Sequence, residues 1–367
     1  MAHGGFLRVD QAESNTRMQP VVEPNAGSQS RIVVAGAGSI GCYTGGCLAL
    51  AGRNVTLLLR ERLAVPISRY GLRVRDLGGV ECLVPQELLT LETNPKKALL
   101  KADIVLVTVK AGATPEMADL IARYVPDGAA IVSLQNGIGN DRTLSTRLGN
   151  GFKVIPGMVP FNVVQKHDKE GVCVQRATSG TILIGDTLPG LADQLNVEAY
   201  PVAAHPNMSG VMWSKLVLNM NNALNALSGL PLVEELSDPL WRNLLAAQMD
   251  EALTAIRSAN IGLARIEGVN PKLIPFALRL PTPLFKLVAR RMLDIDPAAR
   301  SSMWEDFEQG RATEIDHLQG AVIDLAREFG LSAPISERVV ALVKEREKDG
   351  RQSTRVSPDE IAGDAEQ

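Results

Sequence analysis

The chain has 367 residues, of which 45% are hydrophobic, and a formal net charge of −3 with both signs mixed along it. This length accommodates two domains, and the charge pattern excludes the broad basic surface of proteins that bind nucleic acids or anionic membranes. No apolar stretch approaches the roughly 18 residues of a transmembrane helix, and no secretory signal pattern opens the chain. We therefore predict a soluble, cytoplasmic protein.

The cysteines and histidines are too few and too scattered to indicate a metal site. The cysteines form no C-x-x-C pair, and they are Cys42, Cys47, Cys82 and Cys173. Two of them, Cys42 and Cys47, lie in a predicted helix, where burial as small hydrophobic residues is expected. The histidines are His3, His167, His205 and His317. We predict neither a metal ion nor a histidine-based triad.

The first half of the chain has the pattern of an α/β domain. Residues 1–29 are polar and lack periodicity, so we predict a disordered extension. From Arg31 onward, short runs rich in β-branched residues predict buried strands: RIVVAG (31–36), NVTLLLR (54–60), DIVLVTV (103–109) and AAIVSLQ (129–135). A helix is predicted between the first two runs, ending at Gly52. This alternation predicts a Rossmann-type, doubly wound parallel sheet.

The second half has a different pattern. The runs VCVQRA, TILIGD and EAYPVAA, after about Val163, predict hairpin-type strands that close the first domain. From Met208 almost all of the chain has helical periodicity, and the polar tail after Lys348 is predicted to be disordered. The predicted organisation is a Rossmann domain at 30–206, an all-helical domain at 207–348 and a tail at 349–367.

A glycine-rich turn opens the first predicted helix. The segment AGAGSIG places Gly36, Gly38 and Gly41 in the G-x-G-x-x-G spacing directly after a strand. Such a turn lets the backbone approach a pyrophosphate, while the helix N-terminus supplies N–H groups and partial positive charge. We predict a dinucleotide site formed by Gly36, Ala37, Gly38, Ser39, Ile40 and Gly41.

The end of the second predicted strand indicates which dinucleotide binds. An NAD enzyme usually has an acidic residue there, whereas this chain has Arg60, with Arg62 two residues later. A guanidinium pairs with a 2′-phosphate, so we predict NADP(H). Glu61 between the two arginines leaves NAD as an alternative.

Two polar residues follow other predicted strands. Lys110 ends the run IVLVTVK, and Asn136 follows the run AIVSLQ. Because ligands of open α/β sheets bind beyond the carboxyl ends of strands, both are candidates for contact with the cofactor. A solvated lysine and a turn-forming Asn-Gly are the alternatives.

The segment VMWSKLVLNMNNALNAL (211–227) combines a strong helical pattern with polar residues. Lys215, Asn219 and Asn222 have the spacing of one helix face. Burial of these groups costs several kcal/mol unless each is hydrogen-bonded, so the face is predicted to line a polar site. A lysine there can protonate a carbonyl oxygen as hydride reaches its carbon. A solvated surface face is the alternative.

The chain resembles the ketopantoate reductase family (2-dehydropantoate 2-reductases) over about residues 31–344. The segments that carry this resemblance are GAGSIG, LLR, VTVKA, LQNGIGN, WSKLVLN and SSMWEDFEQGRATEID. The least generic of these segments is SSMWEDFEQGRATEIDHLQG. The resemblance implies an NADPH-binding Rossmann domain followed by a helical domain, with the active site between them.

The resemblance also implies roles for individual residues. Lys215 matches the catalytic lysine that protonates the C2 oxygen, and Glu314 matches the glutamate near that lysine and the nicotinamide ribose. Asn219 and Ser302 match substrate-binding residues, and Ser302 would contact the carboxylate. The residues that match cofactor contacts are Arg60 at the 2′-phosphate, Lys110, and Asn136, which would also lie close to the substrate.

The chain departs from the family pattern at three places. It reads NNALNALSG where N-P-L-T-A is common, so the second substrate asparagine maps to Asn222 by helix face and to Ala223 by strict counting. Leu232 stands where another asparagine is expected. The segment 281–300 is longer than in compact members and is predicted to form a lid or an interface. These changes favour a larger or more apolar pocket.

The leading hypothesis is NADPH-dependent reduction of a 2-oxoacid, namely ketopantoate to pantoate on the route to pantothenate and coenzyme A. One alternative is a reductase of a bulkier 2-oxoacid, and another is a 3-hydroxyacid dehydrogenase of the 6-phosphogluconate-dehydrogenase-like group. A third is a non-catalytic NADP-binding sensor. A helical domain with spare apolar surface often dimerises, so a homodimer is also an expectation, although no single residue predicts it.

Overall fold

The computed structural model describes residues 30–290, 297–349 and 355–363. The predicted extension at 1–29 lies outside these residues. The chain divides into two compact units: the first comprises the residues up to Gln135 and Asn140–Met208, and the second comprises Asn136–Gly139 and the residues from Ser209 onward. Within the described ranges, no helix is long and apolar enough to cross a membrane.

An eight-stranded sheet forms the centre of the first unit. Its strands are β1 (Arg31–Ala35), β2 (Asn54–Leu58), β5 (Leu89–Glu92), β6 (Ile104–Val107), β7 (Ala130–Ser133), β8 (Lys153–Met158), β11 (Ile182–Gly185) and β12 (Val202–His205). Their order across the sheet is β12-β11-β8-β7-β6-β1-β2-β5. Strands β1, β2 and β5 to β8 are parallel, β11 runs antiparallel to β8, and β12 is parallel to β11. The predicted doubly wound α/β sheet is therefore confirmed.

A second, four-stranded sheet lies in the same unit and was not predicted. Its order is β4-β3-β10-β9. The strands are β3 (Leu72–Arg75), β4 (Glu81–Val84), β9 (Val163–Asp168) and β10 (Gly171–Arg176). This sheet corrects the prediction of three closing hairpin strands. Only β10, which contains most of the run VCVQRA, is in a hairpin, with β9, whereas β11 and β12 pair in parallel.

The helices of the first unit are α1 (Ser39–Leu50), α2 (Glu61–Tyr70), α3 (Pro95–Leu99), α4 (Thr114–Tyr124), α5 (Asn140–Leu148) and α6 (Leu191–Leu195). Helix α1 packs against both sheets, because Gly45 faces Leu57 of β2 and Gly46 faces Val74 of β3. Its burial on two sides explains why Cys42 and Cys47 are both buried, as predicted. Alternate residues of β1 enter two cores on opposite sheet faces, as a covered parallel sheet requires.

The second unit is helical. Its helices are α7 (Met208–Asn219), α8 (Asn221–Ser228), α9 (Leu232–Ser237), α10 (Pro239–Ser258), α11 (Ile274–Leu278), α12 (Thr282–Val288), α13 (Ser302–Glu308), α14 (Gln319–Glu328), α15 (Pro334–Asp349) and α16 (Pro358–Ala362). One apolar core contains residues from nearly all of them. Helix α10, which has the most residues, runs through it with eleven buried residues, so it organises the packing of its neighbours.

The stretch predicted as a single polar-faced helix is divided at Met220, between α7 and α8. The buried Gln319 side chain donates to the Met220 carbonyl oxygen at 2.9 Å. The Met220 amide donates to the Val217 carbonyl at 3.3 Å, so the chain changes from the i−4 to the i−3 hydrogen-bond pattern at this junction. Lys215 and Asn219 share a face of α7, whereas Asn222 belongs to α8.

The end of the chain differs from the predicted disordered tail. Helix α15 extends to Asp349, and residues 355–363 pack onto the helical core. The Val356 amide donates to the Leu227 carbonyl at 3.2 Å, and Ile361 of α16 is fully buried. Ser357 caps α16 together with Glu360 in a capping box. Residues 355–363 therefore pack on the core through Ile361, with Val356 and Ala362 partly buried against it.

Candidate active site

The glycine-rich turn joins β1 to α1 in the first unit. Gly36 has a φ of +91°, and a Cβ at this position would lie 2.2 Å from Val109 Cγ1. A Cβ at Gly41 would lie 2.6 Å from Thr108 Oγ1. Two of the three predicted glycines are therefore required by the close packing of the turn against the end of β6.

The middle glycine of this turn, Gly38, is not required by close packing. A Cβ at Gly38 would have a single neighbour, the Gly36 carbonyl oxygen, at 4.0 Å, so it would stand in open space. The first intrahelical bond of α1 runs from Cys42 N to Gly38 O, and no acidic residue lies in its first turn. The amides of the first turn, which precede Cys42, therefore make no hydrogen bond within α1. The turn fits a dinucleotide pyrophosphate.

Arg60 lies at the same edge of the sheet. It is the exposed N-cap residue of α2, two residues past the end of β2. The amides of Gly36 and Ala37 both donate to the Leu58 carbonyl, at 3.2 and 2.9 Å, which brings the end of β2 to the glycine turn. An exposed guanidinium at this position could pair with the 2′-phosphate of NADP(H), so the role predicted for Arg60 stays a prediction.

Lys110 also lies at this edge. It is exposed and follows the end of β6, while Thr108 Oγ1, two residues earlier, donates to the Gly36 carbonyl at 3.0 Å. The first unit therefore collects the glycine turn, Arg60 and Lys110 at the carboxyl ends of parallel strands. This is the position at which ligands of open α/β sheets bind.

Asn136 belongs to the second unit, although the sequence pattern places it in the first domain. Its Nδ2 donates to Glu314 Oε2 at 3.4 Å, and the Ile138 amide donates to the His317 carbonyl at 3.1 Å. Gly137, between them, has a φ of +84° and lies so close to His317 that a Cβ would be 2.6 Å from its carbonyl oxygen. The structure thus brings together two predicted site residues, Asn136 and Glu314.

Lys215 is half-buried on α7, among buried neighbours that include Ser214 and Leu216. Burial lowers the pKa of its amine to about 8, and the negative charge of Glu267 partly opposes this shift. The amine therefore releases its proton near neutral pH, as general acid catalysis requires.

Glu267 was not predicted from the sequence. It lies at the tip of a tight turn closed by mutual backbone bonds between Ile266 and Val269, and its φ is +50°. The preceding loop is bound to α7, since Ser214 Oγ donates to the Ala264 carbonyl at 2.8 Å. Glu267 is exposed and lies in a turn, outside any helix or strand. No hydrophobic periodicity or motif spacing in the sequence therefore connects it with Lys215.

Three predicted substrate residues lie in the second unit. Asn219 and Asn222 are half-buried, and Ser302 is exposed as the first residue of α13. Ser301 Oγ donates to the Asn222 carbonyl at 2.8 Å. Because Ser302 follows Ser301 in the chain, this bond brings Ser302 close to Asn222. Ala223, the other candidate for the second asparagine position, is fully buried, whereas Asn222 is half-buried.

Family comparisons match both units. The family model described as "Ketopantoate reductase PanE/ApbA" matches residues 32–188, and the model described as "Ketopantoate reductase PanE/ApbA C terminal" matches residues 207–347. Together these matches cover most of the chain, and the residues of the glycine turn and of the lysine helix lie within them.

Known proteins are similar to this chain over most of its length. A 2-dehydropantoate 2-reductase of Pyrococcus horikoshii is 26% identical, over 87% of this chain and 98% of its own. The crystal structure of a PanE/ApbA family ketopantoate reductase from Ralstonia eutropha has a TM-score of 0.73 and 27% identity, and covers 87% of this chain and 99% of its own. D-mandelate dehydrogenase with NADH and anilino(oxo)acetate has a TM-score of 0.70 at 19% identity, a likeness of fold alone.

Proposed function

The chain belongs to the ketopantoate reductase family, and from this premise we propose that it reduces 2-dehydropantoate (ketopantoate) to pantoate with NADPH. The observation that carries the proposal is the half-buried Lys215, whose pKa is lowered to about 8 on a helix face that also presents Asn219. A non-catalytic NADP-binding sensor has no use for such an amine.

The first unit would hold the cofactor. The amides at the start of α1 bind the pyrophosphate beside Gly38, and the Arg60 guanidinium pairs with the 2′-phosphate. Lys110 adds a cation at the same sheet edge. When bound, NADPH supplies the hydride that the C2 carbonyl carbon receives.

The second unit would supply the proton and hold the substrate. The ammonium form of Lys215 donates a proton to the C2 oxygen as negative charge develops there, which is the charge that a positioned cation stabilises best. Glu314 holds this amine, and the bond from Asn136 orients the Glu314 carboxylate. Asn219 and Asn222 bind polar groups of the substrate, and the exposed Ser302 hydroxyl binds its carboxylate.

The test is the loss of NADPH absorbance with purified protein and ketopantoate, with NADH and other 2-oxoacids in parallel. We expect turnover of ketopantoate with preference for NADPH. Lys215→Ala should lower kcat by about 100-fold or more while NADPH binding is retained, because general acid catalysis contributes that much. Near-normal turnover by this variant would refute the mechanism.

A bulkier 2-oxoacid is the second candidate substrate. Leu232, where an asparagine is expected from the family pattern, is apolar and half-buried at the start of α9, and Ala223, the position that strict counting gives for the second asparagine, is buried. If the enzyme turns over only larger or more apolar 2-oxoacids, the roles of Lys215 and Glu314 stand and the substrate assignment changes. A 3-hydroxyacid dehydrogenase activity would instead appear as oxidation of a 3-hydroxyacid with NADP⁺.

A homodimer through α11 and α12 is the proposed assembly. Large apolar side chains are exposed there, namely Leu273, Phe276, Leu284, Leu287 and Val288. Such a patch is typical of an interface, and it includes the start of the segment predicted to form a lid or an interface. Phe276→Asp should convert a dimer to a monomer in light scattering, whereas a monomeric wild type would remove the proposal.

The reaction would place the protein on the route to pantothenate and coenzyme A. A cytoplasmic location agrees with the four cysteines, all of which are free. Three of them, Cys42, Cys47 and Cys173, are also buried. Growth of a pantothenate-requiring host on expression of this chain would test both points together.

A further inference from the structure

A fully buried asparagine, Asn225 on α8, uses every polar atom of its side chain. Its Nδ2 donates to the Leu230 carbonyl at 3.0 Å and to Glu235 Oε2 at 2.5 Å. Its Oδ1 accepts from the Ser301 amide at 2.8 Å. One amide therefore joins α8, the start of α9 and the backbone that enters α13. A primary amide can do this because it offers two donors and an acceptor in one plane.

The backbone before Ser302 is bound to the same neighbours by further contacts. Ser301 Oγ donates to the Asn222 carbonyl and accepts from Trp304 N, and so caps α13. The Leu232 amide donates to the Ala299 carbonyl at 2.9 Å. Ser301, the residue before Ser302, thus has a bond to the backbone of Asn222 and a bond to the side chain of Asn225. Of these two partners, only the Asn225 side chain is fully buried.

The partner of Asn225 on α9 is a buried carboxyl group. Burial raises the pKa of Glu235 to about 8, so this group carries a proton at neutral pH. The cluster of Asn225, Glu235 and Ser301 is thus neutral as well as buried. A shift of Asn225 would leave the Leu230 carbonyl and the Ser301 amide without this partner, which costs free energy in a buried site.

We propose that Asn225 is a positioning residue for substrate binding: it holds the Ser301 amide and thereby orients the Ser302 hydroxyl towards the carboxylate of the 2-oxoacid. This inference rests on the role of Ser302 in the proposed function. Asn225 is fully buried, so it acts through Ser302 and not on the substrate itself.

The test is a double-mutant cycle of Asn225→Ala and Ser302→Ala with the substrate that the wild-type enzyme turns over. Because the Ser302 contact exists in both the bound and the reacting substrate, its loss raises KM and leaves kcat nearly unchanged. Loss of one buried hydrogen bond predicts an increase in KM of about 10-fold for Asn225→Ala. In the Ser302→Ala background the same change should alter KM by less than about 2-fold, because the two residues act as one unit.

The controls separate positioning from simple loss of stability. Ser336→Ala removes a buried hydroxyl that donates to Glu251 elsewhere in the helical unit, so it should lower the melting temperature and leave KM unchanged. Asn225→Asp keeps an acceptor for the Ser301 amide and, at about pH 6, where burial keeps its carboxyl protonated, should restore KM to within about 3-fold. If Asn225→Ala prevents folding, Asn225→Leu fills the space without hydrogen bonds and replaces it in the cycle.

The outcomes are distinct. A non-additive cycle with NADPH affinity unchanged supports the inference, and an additive cycle overturns it while the proposed function stands. A Ser302→Ala variant with normal KM overturns both the inference and the assigned role of Ser302. Absence of turnover by the wild type with every 2-oxoacid refutes the proposed function itself, and the inference with it.

Discussion

Asn136 Nδ2 lies 3.4 Å from Glu314 Oε2, although 178 positions separate the two residues in the chain. The contact exists because residues 136–139 leave the sheet of the first unit and pack with the second. Gly137 makes this packing feasible, since its bare backbone lies against His317. Asn136, which was predicted to contact the cofactor from the end of a strand, therefore donates a hydrogen bond to Glu314, the predicted catalytic glutamate.

Gly137→Ala should lower kcat/KM by about 10-fold or more, because a Cβ 2.6 Å from the His317 carbonyl forces residues 136–139 away and breaks the Asn136–Glu314 bond. Gly139→Ala is the matched control. Gly139 has a similar φ of +89°, but a Cβ there meets nothing within 4 Å. Steady-state kinetics of both variants, with their melting temperatures, measure the difference. Equal loss in the two would mean that backbone strain alone is responsible.

The reduction rate should fall as pH rises above about 8, because the proton donor is Lys215 in its charged form and its pKa is lowered to about 8. The Glu267 carboxylate raises that pKa, so Glu267→Gln should move the alkaline limb of kcat/KM to lower pH. Glu328→Gln, an exposed carboxylate on α14, is the control and should leave the profile in place. An unchanged profile in Glu267→Gln would exclude an electrostatic role for that residue.

Glu235 should make the folded protein less stable as pH rises. Its pKa is about 8 in the folded state against an ordinary 4.5, so the folded state retains a proton that the unfolded chain releases between these values. The stability from this group is complete below pH 4.5 and declines through that window, with a slope of at most about 1.4 kcal/mol per pH unit.

Glu235→Gln should flatten that slope in urea unfolding measured from about pH 5 to 9, because an amide keeps the acceptor for Asn225 and does not ionise. Glu234→Gln, an exposed neighbour on the same helix, should retain the wild-type slope. If wild type and Glu235→Gln have parallel profiles, the carboxyl is not held neutral by burial.

Arg60→Ala should raise KM for NADPH by about 10- to 100-fold and leave KM for NADH nearly unchanged, since a guanidinium–phosphate pair is a strong, charge-assisted contact. Arg69→Ala is the matched control, because Arg69 is exposed on the same helix α2 but lies in its last turn. Initial rates at varied NADPH and NADH concentrations measure both KM values for the wild type and the two variants. A parallel rise in both KM values would place Arg60 away from the 2′-phosphate.

Local patterns were enough to predict much of the first unit. The buried strands β1, β2, β6 and β7 appear as continuous apolar runs because helices cover both faces of the sheet. The spacing of Gly36, Gly38 and Gly41 is equally local, since each glycine is needed within one turn. Lys215 indicated a function because a charged group on an apolar helix is costly to bury, and Arg60 because a cation replaces the acidic residue usual at this strand end.

The four-stranded sheet, in contrast, depends on pairing between β3 and β10, whose partners Leu72 and Val172 lie far apart in the chain. No local pattern specifies such a partner. The contact of Gln319 with the Met220 carbonyl is of the same kind, because these two residues also lie far apart in the chain.

The sequence by itself determined the fold class, the dinucleotide turn and the chemical types of the site residues, because these depend on neighbours within one or two turns of the chain. Tertiary structure alone decided that Asn136 meets Glu314, that Glu267 acts on Lys215, and that Asn225 holds Ser301. Hydrogen bonds and charges act between atoms that are close in space, and only the packed chain brings residues so far apart in sequence to those distances.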